Sequence, residues 1–182
     1  MSKEIEATGW PCHKEKGAQL IGTGIDSNVY KVGDLVVKNY KLSKFNGCLN
    51  GLDISILDDY FLITNLAELY LKDHPTVLRS AGFRKKYPLT VNPFLKMNKC
   101  DSCGGVEGIC KYIPGLRLGE SYQRLGLYNL ANQLTDISLT LGDKLGVTGI
   151  KVIPTNIKVT DENLIVITDL CADVSILRKI PA

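Results

Sequence analysis

The segment that most constrains the fold is residues 19–40, QLIGTGIDSNVYKVGDLVVKNY. Gly33-Asp34 stands alone between Asn28–Val32 and Leu35–Tyr40, two runs rich in β-branched and aromatic side chains. A two-residue link of that composition closes a β-hairpin. Gln19–Gly22 precedes them across another Gly-bearing turn, so the spacing predicts three antiparallel strands over 19–40.

Beyond Tyr40 the chain alternates in type. SKFNGCLNGLD at 43–53 reads as a loop, and Ser55–Lys72 as a helix, because Ile56, Tyr60, Ile63, Ala67 and Tyr70 recur at helical spacing. Asp58 and Asp59 suit its first turn, and Pro75 lies beyond its end. Residues 76–98 are mixed, with Arg84, Lys85 and Lys86 forming a solvated basic cluster. Strands are expected at Leu89–Met97 and Val106–Tyr112, a break at Pro114-Gly115, and a long amphipathic helix from Leu127 to Leu145 stopped by Gly146. Two short strands, Ile157–Val159 and Leu164–Ile167, come last. Strands first and helices later make the chain α+β.

Length and composition narrow the function classes. With 182 residues, 45% hydrophobic and 23% charged, the chain has the make-up of an ordinary globular domain. A formal charge of +3 is too small a surplus to argue for nucleic acid or an anionic membrane as partner. No apolar run approaches the ~20 residues that span a bilayer. The opening MSKEIEATGWPCHKEKG is a loose polar arm without the apolar core of a secretory signal, so a cytoplasmic location is expected.

Six positions carry the chemistry. Gly22 and Gly24 stand at a strand-to-strand turn, where missing side chains let backbone N–H groups approach phosphate oxygens, although a Gly-x-Gly hairpin is by itself as well explained as a turn. Lys38 ends the apolar run Leu-Val-Val-Lys; on a buried strand it needs an anionic partner, and on an edge strand it simply faces water. Glu68, well inside the 55–72 helix, is the candidate carboxylate. Asn156 opens one strand of the last hairpin and Asp169 closes the other. That places two oxygen-bearing side chains at one end, suited to Mg²⁺, unless they are only strand-end turn residues.

This order of Gly-rich hairpin, strand Lys, helix Glu, two strands, long helix, Asn hairpin and Asp resembles the protein kinase-like superfamily over about residues 19–174. Gly22-Thr23-Gly24-Ile25-Asp26-Ser27-Asn28-Val29 is similar to the family's phosphate loop, with Ser27 where the third Gly falls and Val29 at the position of the family's Val. The resemblance implies a nucleotide-binding Lys38 paired with Glu68, and an adenine-binding hinge at Lys111–Gly115 that includes Tyr112. It further implies Asn156 and Asp169 as the metal ligands, with ATP and Mg²⁺ as cofactors. It implies a five-stranded antiparallel sheet plus helix as an N-lobe over 19–113 after an arm at 1–18, and a much reduced helical C-lobe over 114–182.

Two departures matter. The family's catalytic Asp lies five residues before the metal Asn, where this chain has Lys151, a residue that cannot act as base while protonated. Only 13 residues follow Asp169 here, so no counterpart of the family's activation segment and substrate-binding helices is expected. Phosphoryl transfer rests mainly on positioning and electrostatics. Loss of the base therefore slows it by something like ~10²–10⁴ without forbidding it. The readings are a slow or partner-dependent phosphotransferase and, as an alternative, a pseudokinase that binds and regulates a protein partner. In size the chain is similar to minimal kinases that some bacteria inject into host cells, which implies a host cytoplasm as a further location.

Cysteine adds a third reading. Cys100-Asp-Ser-Cys103-Gly-Gly has the form of half a structural zinc site. Cys12 and His13, or Cys110, have to supply the remaining ligands, and adjacent Cys-His ligation is awkward. Cys48, Cys110 and Cys171 otherwise read as small packed hydrophobes.

Overall fold

The computed structural model describes residues 11–24, 27–40, 54–99 and 106–170. The chain is α+β, with two five-stranded sheets and three α-helices among those residues. It divides into two compact units, 1–51 with 95–112 and 52–94 with 113–182. The chain passes from one to the other between Tyr112 and Ile113, within the segment read as a hinge.

The first unit is built on β1 (Gln19–Thr23), β2 (Ser27–Val32) and β3 (Leu35–Tyr40), the last two joined as expected by the Gly33-Asp34 turn, where Gly33 has a positive φ of 58°. With β6 (Phe94–Lys99) and β7 (Val106–Lys111) they make a sheet in the order β1-β2-β3-β7-β6. The β1–β2, β2–β3 and β3–β7 ladders are antiparallel. β3 is therefore the central strand, and Val37 and Ile109 on neighbouring strands are fully buried. The arm is not loose throughout: Cys12 is buried against this sheet.

The second unit surrounds a mixed sheet of β4 (Thr76–Arg79), β5 (Lys86–Val91), β8 (Leu116–Arg117), β9 (Ile157–Val159) and β10 (Ile165–Ile167), in the order β4-β5-β10-β9-β8. β9 and β10 form the expected hairpin. β10 also pairs in parallel with β5, Ile165 opposite Leu89 and Ile167 opposite Val91, a long-range pairing that no local spacing announces. Apolar side chains from this sheet pack with Ile63, Ala67 and Leu71 of α1 (Ile54–Asp73) and with Leu134, Ile137 and Leu141 of α3 (Leu130–Leu145).

The structure corrects three expectations. Leu89–Met97 is not one strand: β5 ends at Val91 and β6 begins at Phe94, and the two lie in different sheets. Pro93, which has no N–H to give a ladder, sits in the break. Asn65 of α1 fixes the site, its amide donating to the Phe94 carbonyl at 3.1 Å and its oxygen accepting from the Phe94 N–H at 2.9 Å. The mixed stretch after Pro75 is the β4–β5 hairpin. The long helix expected from Leu127 begins at Leu130 as α3, and a separate helix not expected from the sequence, α2 (Leu118–Leu125), precedes it and ends at Gly126 with a left-handed φ of 60°. Gly146 stops α3 as expected.

Candidate functional site

Lys38 is the residue on which the site rests. It lies on β3, between Val29 of β2 and Gly108 of β7, and only 5% of it is exposed. A lysine facing water from an edge strand is thereby ruled out. Residues opposite one another in an antiparallel ladder share a face, and neighbours along a strand alternate. Val29, Lys38 and Gly108 thus make one row, which Gly22 extends through its pairing with Val29.

The Gly-rich turn supplies the next part. The Gly24 N–H donates to the Ser27 carbonyl at 2.8 Å and Ser27 is buried, while Ile25 and Asp26 lie outside the described residues. Neither glycine has a positive φ. A Cβ at Gly22 would meet the Val29 Cβ at 3.7 Å, an ordinary contact, and at Gly24 the Ser27 carbonyl oxygen at 3.4 Å. The turn itself does not require glycine at either place.

In the second unit the β9–β10 register, Ile157 opposite Ile167, brings Asn156 beside Thr168 at one end of the hairpin. The Asn156 carbonyl accepts the Thr168 N–H at 2.8 Å and its hydroxyl at 3.0 Å, and Asp169 comes directly after. The Thr155 hydroxyl donates to Asn156 Oδ1 at 3.4 Å. Asp169 Oδ1 accepts the phenolic O–H of Tyr60 from α1. Helical spacing singled out Tyr60 only as a core position; its role at Asp169 depends on how α1 crosses the hairpin, which sequence spacing does not encode.

Glu68 is half-buried on α1 in the second unit, and Lys38 belongs to the first. Tyr112 donates its N–H to the Asp34 carbonyl at 2.9 Å, and the Lys31 ammonium stands 4.1 Å from the centre of its ring. Lys158 Nζ donates to the Ile113 carbonyl at 2.9 Å, holding the start of the segment that leads into β8. Lys151 is exposed. Cys100, Cys103, Cys48 and Cys171 lie outside the described residues; Cys12 and Cys110 are buried thiols.

No helix among the described residues is long and apolar enough to cross a membrane. No family model matches the chain, and no curated protein matches it. Among solved structures it is similar to WbdD, a bifunctional kinase-methyltransferase. The complex of WbdD with a kinase inhibitor aligns at 18% identity and a TM-score of 0.40, covering 81% of this chain and 31% of that one. A 2.2 Å structure of WbdD gives 18% and 0.39 over 80% and 30%, and a medium-resolution structure 16% and 0.37 over 79% and 29%. The chain spans about three tenths of the length of the WbdD chains it matches.

Proposed function

We propose that the chain is a kinase-like protein that binds ATP with Mg²⁺. Lys38 carries this reading: a lysine only 5% exposed stands on the central strand of the first sheet, opposite Val29 and Gly108. Its row also holds Gly22 and Gly108, two positions without side chains, so a phosphate can approach the ladder there. Gly22, Gly24, Ser27 and Val29 form the phosphate-binding turn, and Glu68 is the carboxylate that the sequence resemblance assigns to Lys38. Tyr112 belongs to the adenine-binding segment, and Asn156 and Asp169 hold Mg²⁺ through oxygen ligands.

Transfer of phosphate is the further step. With Lys151 in the position of the base, the reaction runs slowly or with a partner that completes the site. The exposed Lys151 equally favours a second reading, a pseudokinase in which bound nucleotide sets the affinity for a protein partner.

Calorimetric titration of Mg·ATP tests the binding. Binding that needs Mg²⁺ and weakens at least ~10-fold in Lys38→Ala is the expected result, corresponding to about 1.4 kcal/mol. Absence of binding to folded wild type overturns the reading. In a double-mutant cycle, Lys38→Ala should lose little further affinity in a Glu68→Ala background; full additivity would remove Glu68 from the site.

A further inference from the structure

A second cluster lies on the opposite face of the first sheet. Glu107, the second residue of β7, pairs with Asn39 and not with Lys38, so its row alternates to the face away from Lys38. Only 1% of Glu107 is exposed. A buried carboxylate on an apolar strand is stable when it is paired or holds a cation. Its Oε1 accepts the backbone N–H of His13 at 3.2 Å, contacts His13 Nδ1 directly, and lies 3.7 Å from the Cys12 thiol sulfur.

The arm is shaped to present these groups. The Cys12 N–H donates to Glu15 Oε1 at 2.9 Å and the Glu15 N–H returns to the Cys12 carbonyl at 3.0 Å, which closes a turn around His13. The imidazole packs against Tyr30 with ring centres 5.1 Å apart. Adjacent Cys and His therefore do converge, with Sγ and Nδ1 3.9 Å apart. The Cys12 sulfur, the His13 nitrogen and the Glu107 oxygen all lie within 4.8 Å of one another.

We infer that Cys12, His13 and Glu107 form a binding site for one zinc ion, which clasps the N-terminal arm to the sheet. Tetrahedral zinc with bonds of ~2.0–2.3 Å has ligand atoms about 3.4–3.6 Å apart. The Sγ–Oε1 and Sγ–Nδ1 separations of 3.7 and 3.9 Å need to close only slightly. The contact between His13 and Glu107 has to open, as a hydrogen bond does when an ion replaces its proton. One thiolate, one imidazole and one carboxylate suit a borderline cation such as Zn²⁺ better than Mg²⁺ or Ca²⁺. The three ligands all lie among the described residues, and the site is independent of the nucleotide reading.

Cobalt substitution tests it in the full chain carrying Cys100→Ser and Cys103→Ser, which leaves all three ligands in place. Co²⁺ should bind at one equivalent, give the sulfur-to-metal charge-transfer band of a single thiolate, and be displaced by Zn²⁺. Cys12→Ser in that background should abolish the band. Glu107→Gln should weaken Zn²⁺ at least as much as the ~10–100-fold typical of an outer-shell substitution. His13→Ala, at a more accessible side chain, serves if Glu107→Gln does not fold. No band, a band that survives Cys12→Ser, or unchanged Zn²⁺ affinity in the folded Glu107 or His13 variant overturns the site. Mg·ATP titration of the Cys12→Ser protein, expected to match its parent, separates this outcome from failure of the nucleotide reading.

Discussion

Tyr60 of α1 donates its phenolic O–H to Asp169 Oδ1, tying the helix to the residue that ends the β9–β10 hairpin. The bond joins residues 109 positions apart in the chain, so it exists only in the folded state. A hydrogen bond to a charged acceptor contributes about 1.5–3 kcal/mol. Both side chains are half-buried, which places the expected loss in Tyr60→Phe at the lower end, about 1–2 kcal/mol. Urea denaturation checks it, with Tyr70→Phe on the same helix as the control expected to change little. Equal effects in the two variants would mean that the Tyr60 hydroxyl contributes nothing particular.

Gly115 should not tolerate a side chain. Its φ is 126°, and a Cβ there would lie 2.2 Å from the Val159 carbonyl oxygen. The next residue, Leu116, pairs with Val159, so relief of the clash has to displace the β8–β9 ladder. Gly115→Ala is expected to cost about 2–4 kcal/mol, combining backbone strain with the broken pairing. A urea midpoint unchanged from wild type would contradict this geometry.

The two leucines Leu139 and Leu141 should behave in opposite ways although they stand two residues apart on α3. Leu141 is fully buried in the second unit's core and Leu139 is 68% exposed. Leu141→Ala is expected to destabilise by about 2–5 kcal/mol, since it removes buried methyl groups and leaves a cavity. Leu139→Ala should stay within about 0.5 kcal/mol of wild type. Thermal or urea unfolding of both variants makes the comparison.

The turn between β9 and β10 carries a pH-dependent contact. The Glu162 backbone N–H and then the Thr160 hydroxyl lower the pKa of the Glu162 carboxyl, against a smaller opposing effect of burial. A carboxyl lowered on folding contributes stability above its unfolded pKa and loses it as the pH falls through the folded value. In an NMR titration Glu162 should therefore protonate below the ordinary glutamate range. Thr160→Ala should move it upward, and Thr160→Ser, which keeps the hydroxyl, should not. An unmoved pKa in the Ala variant would remove Thr160 as a cause.

Local periodicity determined much of this protein. The Gly33-Asp34 hairpin, α1, the Gly146 stop and the β9–β10 hairpin each arise from a period of two or 3.6 and a turn residue within a short window. Lys38, Asn156 and Asp169 could be singled out because each interrupts or ends an apolar run. Glu107 interrupts Val106–Cys110 in the same way, so its burial had a local signal; its partners did not.

Tertiary structure decided the rest. Whether Lys38 stands at an edge or at the centre depends on β7 pairing with β3, 70 residues away by the Lys38–Gly108 pair. The split at Asn92-Pro93, the parallel β5–β10 ladder and the meeting of Cys12 and His13 with Glu107 are likewise long-range. Such contacts are chosen by which strand edges and apolar faces remain to be covered once the local elements exist. Spacing along the chain can show that a buried charge needs a partner, but only the packed fold determines which residue stands opposite it.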